Sequence, residues 1–459
     1  MANKVITSPR DLPSVEELLQ LKSVIALLLS VPRPILIDEI RESLNDARAK
    51  LKQKASVSHD ELLADISARV HLKERMQIRR VINAAGIVVH TNLGRAPLSK
   101  KILTGVAEVA SRYSNIEYDL DKGDRGSRGT ACEAYLAQLA GAEKGTVTNN
   151  CAAALLLILN SLAKGKEVIV SRGELIQIGG GFRIPDILRA SGAKLVEVGT
   201  TNITTLRDYE KGISSKTALI LKTHLSNFAQ AGFVESVTLK ELVALGKKHS
   251  IPVVHDLGSG VPFATKKVLG FDEPTIQHSV KSGASLTCFS GDKLLAGVQA
   301  GLIVGDAEYV QKIKRNPLFR TMRADKIVFL YLEHLLTHYL NEEPVTDIPV
   351  WDFLSILPAD LYRRAKRIVA ELGNPNGVSV EATGAFVGGG SLPEKTVPSV
   401  AVCLAESWKP SAKLRALRER DIPIIARLES GRLLIDLKAV FPDEDDLLIA
   451  ALRECGVTV

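Results

Sequence analysis

The sequence predicts an α/β protein: a mostly parallel sheet sandwiched by helices, with a helical segment before it and a small α+β portion after it. Three observations carry this. Between residues 81 and about 330, short apolar runs alternate with helical segments, as in sheets covered on both faces. Residues 1 to about 75 show apolar residues near helical spacing only. The polar residues that stand out fall just after the apolar runs, at the carboxyl ends of strands, where ligands of such sheets collect.

Taken in order, "SVEELLQLKSVIALLLSV" and "PILIDEIRESLNDARAKLKQKA" read as helices between Pro breaks and Ser caps, and no strand pattern intrudes. The run "VIALLLSV" (24–31) follows Glu16, Glu17 and Lys22, lacks a small-residue cleavage site and is too short to span a bilayer. It is expected to be a buried helix. Seven strands follow: "GTVTNN", "EVIVSR", "KLVEVG", "ALILKTH", "PVVHDLG", "SLTCFS" and "AGLIVG", with "CAAALLLILNSLAKG" and "TLKELVALGKKHS" as helices among them. The rest opens on the helix "RADKIVFLYLEHLLTHYL" and continues with strands "SVAVCLA", "IIARLE" and "RLLIDLKAV", the last two joined at Ser430-Gly431. The closing helix "DEDDLLIAALREC" begins with acidic residues that suit its dipole. This gives three domains: 1–80 helical, 81–330 α/β, and 331–459 small α+β. There is no internal repeat or low-complexity tract.

A chain of 459 residues, 46% hydrophobic and 24% charged, has enough apolar material for a large core and is expected to be globular and soluble. Its net charge of +7 admits an anionic partner, whether RNA, a phosphorylated substrate or a membrane surface, without choosing among them. Cys132, Cys151, Cys288, Cys403 and Cys455 have no C-x-x-C spacing, so neither a zinc site nor a disulfide framework is indicated. A reducing compartment, the cytoplasm, is expected.

Three strand ends carry the candidate chemistry. "PVVHDLGSG" delivers Asp256, "GTVTNNCAAALLLIL" passes through Asn149 and Asn150 into a helix that starts Cys151-Ala152, and "CFSGDKLLAG" delivers Lys293. Each alone is more often a cap, a turn residue or a solvated lysine. Together they supply what pyridoxal 5′-phosphate needs: an amine for its aldehyde, a carboxylate beside its pyridine nitrogen, and backbone N–H donors at a helix start for its phosphate. Ser290 adds a hydroxyl for the phosphate. His90, His224 and His255 lie near strand ends without metal spacing, and hydrogen-bonded packing is at least as good a reading for them. The stretch from Glu174 to Gln177 is expected to pass over the cofactor ring, and the glycine runs 179–181 and 388–390 to form tight turns.

The motifs "VINAAGIVVHTNLGRAPLS", "YSNIEYDLDKGDRGSR", "VSRGELIQIGGGFRIPDI", "VGTTN", "DLGSG", "FSGDKLLAG", "QAGLIVG", "LFRTMRADK" and "VGGGSLP" resemble, in order, those of the bacterial L-seryl-tRNA(Sec) selenium transferases, the selenocysteine synthases. The resemblance implies a fold-type I pyridoxal phosphate enzyme that dehydrates seryl-tRNA(Sec) to aminoacrylyl-tRNA and adds selenium from selenophosphate. It implies Lys293 and Asp292 as catalytic residues, Arg95, Arg320 and Arg323 as the selenophosphate set, a tRNA-reading N-terminal domain, and a homodecamer built as a ring of dimers, with no DNA or membrane partner. Arg320 and Arg323, at i, i+3 on an expected helix start, are placed to face one anion together. Two positions depart from the pattern: Cys151 stands where a third Asn is expected, and Ile203 where Arg often follows "TTN". A related lyase or β-replacement enzyme for a small amino acid or amino sugar, and a noncatalytic nucleic-acid-binding relative, stay open from sequence.

Overall fold

The computed structural model describes residues 5–178, 181–225, 228, 230–388 and 391–459. The chain divides into two compact units, Met1–Arg80 and Val81–Val459.

The first unit is built on two helices, Arg33–Lys52 and His59–Arg75. Ser58 caps the second through a reciprocal box with Glu61. Leu36, Ile40 and Leu44 on one helix and Leu62, Ile66 and Val70 on the other recur every four residues and form one core. Two expectations fail here. Val5–Ile6 pairs antiparallel with Val57–Ser58, a two-residue ribbon too short to leave a sequence pattern. The run 24–31 is no buried helix: Lys22–Ala26 is helical, Leu27–Leu29 is a single 3-10 turn, and Leu29 is 94% exposed. So short a helix turns only Val24, and after it Val31, into the core. Among the described residues, no helix is long and apolar enough to cross a membrane.

The second unit carries two sheets. Its strands are β1 Ile82–Ala84, β2 Ile87–Val89, β3 Lys144–Thr148, β4 Glu167–Ser171, β5 Lys194–Val198, β6 Thr217–Thr223, β7 Val253–Gly258, β8 Leu286–Ser290, β9 Gly301–Gly305, β10 Val378–Gly388, β11 Ser391–Leu404, β12 Ile424–Glu429 and β13 Arg432–Asp436. Helices α1 Cys151–Ala163, α2 Pro317–Thr321 and α3 Lys326–Leu340 bear on the site.

The seven expected strands form one sheet in the order β5-β4-β6-β7-β8-β9-β3. β5 through β8 in this order are parallel, and β9 runs antiparallel to both neighbours. Along β8, Cys288 joins a core with α1 residues Ala154, Leu155 and Ile158, while Phe289 joins another with α3 residues Leu332 and Leu335. Both faces are thus covered, and the strands read as unbroken apolar runs.

The second sheet has the order β1-β12-β13-β11-β10-β2. The sequence pattern gives three of these strands; the structure has six. β1 and β2, three residues each, pair with strands some three hundred residues away, Ile82 opposite Ile424 and Ile87 opposite Phe386, so no local pattern announces them. Ser430 and Gly431 both adopt positive φ in the β12–β13 turn, which matches the right-handed twist of a hairpin.

Candidate functional site

Sheet register sets the site. Thr223 on β6 lies opposite Asp256 on β7, and Asp256 opposite Cys288 on β8. Two residues on, Ser290 faces Gly301 on β9, and Gly301 faces Thr148 on β3. The carboxyl ends of four strands therefore converge beside the start of α1. They border a cleft of about 250 Å³ whose lining includes Arg95, Asn150, Cys151, Ala152, Asp256, Ser290, Asp292 and Lys293.

Lys293 is held by a folded-back loop after β8. Gly291 N–H donates to Ala300 (2.9 Å), Gly297 N–H to Gly291 (2.8 Å), and Leu294 N–H to Ser259 (3.0 Å). A Cβ on Gly291 would fall 2.6 Å from the Val298 carbonyl oxygen, so only glycine permits this closure. Lys293 is 8% exposed, and burial lowers its pKa, which raises the share of free amine. Asp256, buried on its strand, has its pKa pushed up to about 6 by desolvation, against the opposing pull of Lys293 and His224.

α1 begins as the sequence predicts. Asn150 caps it by accepting from the Ala153 N–H (2.9 Å), which leaves the Cys151 and Ala152 amides as first-turn donors with no acceptor inside the helix. Those amides and the helix dipole make an anion site at the cleft wall. Thr148 Oγ1 donates toward Asn150 O and Gly301 O, both at 3.1 Å, tying the turn to β9.

Arg95 and Asp292, far apart in sequence, form an ion pair (NH1 to Oδ2, 2.7 Å). Arg95 sits at φ 65° at the end of the loop leaving β2, closed by its own N–H to His90 O (2.9 Å). Asp292 Oδ1 is buried and has no hydrogen-bond partner in the protein.

Three of the expected site residues lie outside the lining set. Asn149 is exposed, and its N–H donates to Met322 O (2.8 Å). Arg320 and Arg323 do not share a helix face: α2 ends at Thr321, so Arg320 is exposed on its last turn and Arg323 lies beyond it. The Arg323 guanidinium instead meets Glu117 (2.9 Å), which also pairs with Arg128 (2.6 Å) and Arg125 (3.2 Å). Backbone contacts at Thr148 and Asn149 nonetheless hold this arginine segment against the strand end that starts α1.

The histidines divide. His255 is buried, hydrogen-bonded through Nδ1 to Ser279 (2.9 Å), and driven down to about 3 by desolvation, so it is a packing residue. His90 accepts from the Asn92 N–H (3.3 Å). His224 does line the cleft, with Nε2 3.0 Å from Glu273. From the Glu174–Gln177 stretch, Ile176 reaches the cleft, whereas Glu174 turns away to Lys222 and to the Thr223 N–H (2.8 Å). Thr223 and Gln299 also line the cleft without having been singled out from sequence, where a polar residue at a strand end carries no further mark. Gly179, Gly180, Gly389 and Gly390 lie outside the described residues.

The chain matches the family described as L-seryl-tRNA selenium transferase over residues 81–441 and the one described as selenocysteine synthase N terminal over residues 9–48. It is 42% identical over 451 residues to the L-seryl-tRNA(Sec) selenium transferase of Caldanaerobacter subterraneus subsp. tengcongensis, covering 97% of this chain and 98% of that one. The proteins of the same name from Geotalea uraniireducens and Clostridium perfringens are each 41% identical, over 98% and 97% of this chain and 99% and 98% of theirs. Among solved structures, D-glucosaminate-6-phosphate ammonia-lyase superposes with a TM-score of 0.62 at 20% identity, covering 84% of this chain and 97% of that one, a likeness of fold.

Proposed function

The chain belongs to the L-seryl-tRNA selenium transferase family, and from that premise we propose that it converts L-seryl-tRNA(Sec) to L-selenocysteinyl-tRNA(Sec), with pyridoxal 5′-phosphate as cofactor and selenophosphate as donor. The observation that carries this reading is the convergence of Lys293, Asp256 and the α1 N-terminus on one cleft.

The residues fit the cofactor by their donor chemistry. Lys293 offers a desolvated amine to the aldehyde, Asp256 a carboxylate to the ring nitrogen, and Cys151, Ala152 and Ser290 offer donors to the phosphate. The orphaned, buried Thr223 hydroxyl at the same strand ends is a further polar group for which the protein supplies no partner. When bound, the cofactor supplies an electron sink for the carbanion made at the serine α-carbon.

The protein's own steps follow from position and charge. Lys293, with its lowered pKa, is suited to take the α-proton and later return one. Asp256 keeps the ring nitrogen protonated as an ion pair whose strength grows with burial. Asp292 beside Lys293, fixed by Arg95, is placed to assist departure of the serine hydroxyl and arrival of selenium. Arg95, Arg320 and Arg323 bring cationic, two-pronged donors to the dianionic selenophosphate. Residues 1–80 read the tRNA, the large sheet and its flanking helices (81–330) hold the cofactor, and residues 331–459 form the small domain. The resemblance further carries a cytoplasmic decamer, a ring of dimers, as the working assembly.

The test supplies the purified protein with pyridoxal phosphate, serine-charged tRNA(Sec) and selenophosphate, with Lys293→Ala alongside. Selenocysteinyl-tRNA is expected from the parent alone, and borohydride should fix the cofactor to the peptide that contains residue 293. Release of ammonia from small amino acids or amino sugars, with no product on tRNA, would replace this reading with the lyase.

A further inference from the structure

Below the cleft, the fold assembles a donor set that sequence spacing hides. Cys151 Sγ, Cys288 Sγ and a carboxylate oxygen of Asp256 all lie within 4.8 Å of one another. The three come from different elements: Cys151 opens α1, Asp256 is on β7, and Cys288 is its cross-strand partner on β8. Cys151 Sγ is 3.9 Å from Asp256 Oδ1. Sheet register and helix packing hold this triangle, and Cys151, which borders the cleft, gives an ion a way in, whereas Cys288 is fully buried.

We propose that, when the cofactor is absent, Cys151, Cys288 and Asp256 bind one thiophilic divalent cation of the zinc type, and that ion and cofactor exclude each other. The exclusion rests on the cofactor reading above, because one carboxylate cannot serve both a ring nitrogen and a metal. Two thiolates and one carboxylate oxygen make a three-ligand zinc site with its fourth position turned to the cleft for water. In the binding step two metal–sulfur bonds and one metal–oxygen bond form, each thiol releases one proton, and nothing is oxidised or reduced. The dication with three anionic ligands is left with one negative charge, which the neighbouring Lys293 ammonium offsets. Without an ion, the bond to Cys151 and burial hold the Cys288 thiol well above the ordinary thiol range. Uptake therefore strengthens as pH rises, since protons are products. The other compact group of such donors among the described residues, His338, Glu343 and Asp347, differs: Lys101 Nζ already lies 3.0 Å from both its carboxylates.

The test uses the full-length protein freed of cofactor and titrated with cobalt(II), a coloured stand-in for zinc. A single equivalent should give the strong visible bands of a tetrahedral ion and a thiolate charge-transfer band, and both should vanish on adding zinc or pyridoxal phosphate. Cys151→Ser and Cys288→Ser should each weaken the thiolate band, while Cys403→Ser leaves it unchanged. Zinc at about ten times its own dissociation constant should raise the pyridoxal phosphate needed for half-reconstitution by roughly tenfold. Protein that takes up pyridoxal phosphate but gives no thiolate band overturns the inference and leaves the cofactor reading standing. Protein that binds cobalt but never the cofactor overturns that reading, and the exclusion with it. A band unchanged in both cysteine variants places the ion elsewhere and overturns the site; displacement in the unsubstituted protein tests the same point if a variant fails to fold.

Discussion

Asp256 shows how a single burial sets both chemistry and stability. Its pKa rises from 3.8 to about 6 on folding, so the folded chain holds this proton more tightly than the unfolded chain does. The stabilisation this gives is complete below the ordinary carboxylate range and is lost as pH rises through about 6. Asp256→Asn cannot ionise and escapes the loss. The cofactor-free variant should therefore be more stable than its parent above neutrality, by about 3 kcal/mol at most, with the gap closing as pH falls toward 4. Denaturant unfolding across that range measures it, and a gap that widens in acid would be the wrong sign. Arg95 and Asp292 make a second residue-scale case. Asp292 is buried with one oxygen already unpartnered, so losing the guanidinium strips the other. A double-mutant cycle of Arg95→Gln and Asp292→Asn, read in cofactor affinity and in single-turnover rate, should show coupling of roughly 0.5–3 kcal/mol. Additive effects would mean that the two act apart. Lys293 and Asp256 were legible in the sequence because each follows an apolar run directly; the Arg95–Asp292 pairing was not, since no local pattern links residues 197 positions apart.

At the scale of elements, the site depends on how closely β9 approaches the turn into α1. A Cβ at Gly301 would lie 2.1 Å from Asn150 O and 2.5 Å from Thr148 Oγ1. Gly301→Ala must push the turn away, at a cost on the order of 1–3 kcal/mol. Because the same turn offers the Cys151 and Ala152 amides, the variant should also hold pyridoxal phosphate more weakly, as equilibrium dialysis would show; unchanged affinity would mean that the phosphate is held elsewhere. All seven strands of the large sheet could be read from their apolar runs, but the antiparallel sense of β9 could not, because burial on both faces erases the alternation that marks direction and face. The arginine segment shows the same limit. Spacing of i, i+3 puts two side chains on one face only while the helix lasts, and α2 stops at Thr321 under the pull of the Met322–Asn149 and Arg323–Thr148 backbone contacts.

For the molecule as a whole, the division at Arg80 leaves each part with a core of its own: Leu36, Ile40 and Ile66 in the first, and the two sheets in the second. Residues 81–459 alone should fold, take up pyridoxal phosphate with the parent's spectrum and lose most affinity for tRNA(Sec). Undiminished tRNA binding by the truncated protein would shift recognition out of the first unit. The sequence shows the helical character of residues 1–75 plainly, yet charge says little about their role, since fourteen Lys and Arg stand against eleven Asp and Glu in residues 1–80. The pairing of β1 with β12 bears on how the chain is made. Ile82 leaves the ribosome long before Ile424, its partner, and at about 5–20 residues per second the interval is roughly twenty to seventy seconds. Throughout it the sheet that carries Lys293 can form while β1 and β2 hang unpaired, with the loop to Arg95 not yet anchored. A nascent chain is therefore capable of building its cofactor pocket before the rim is in place, and its last strands to emerge are the ones that finish the site.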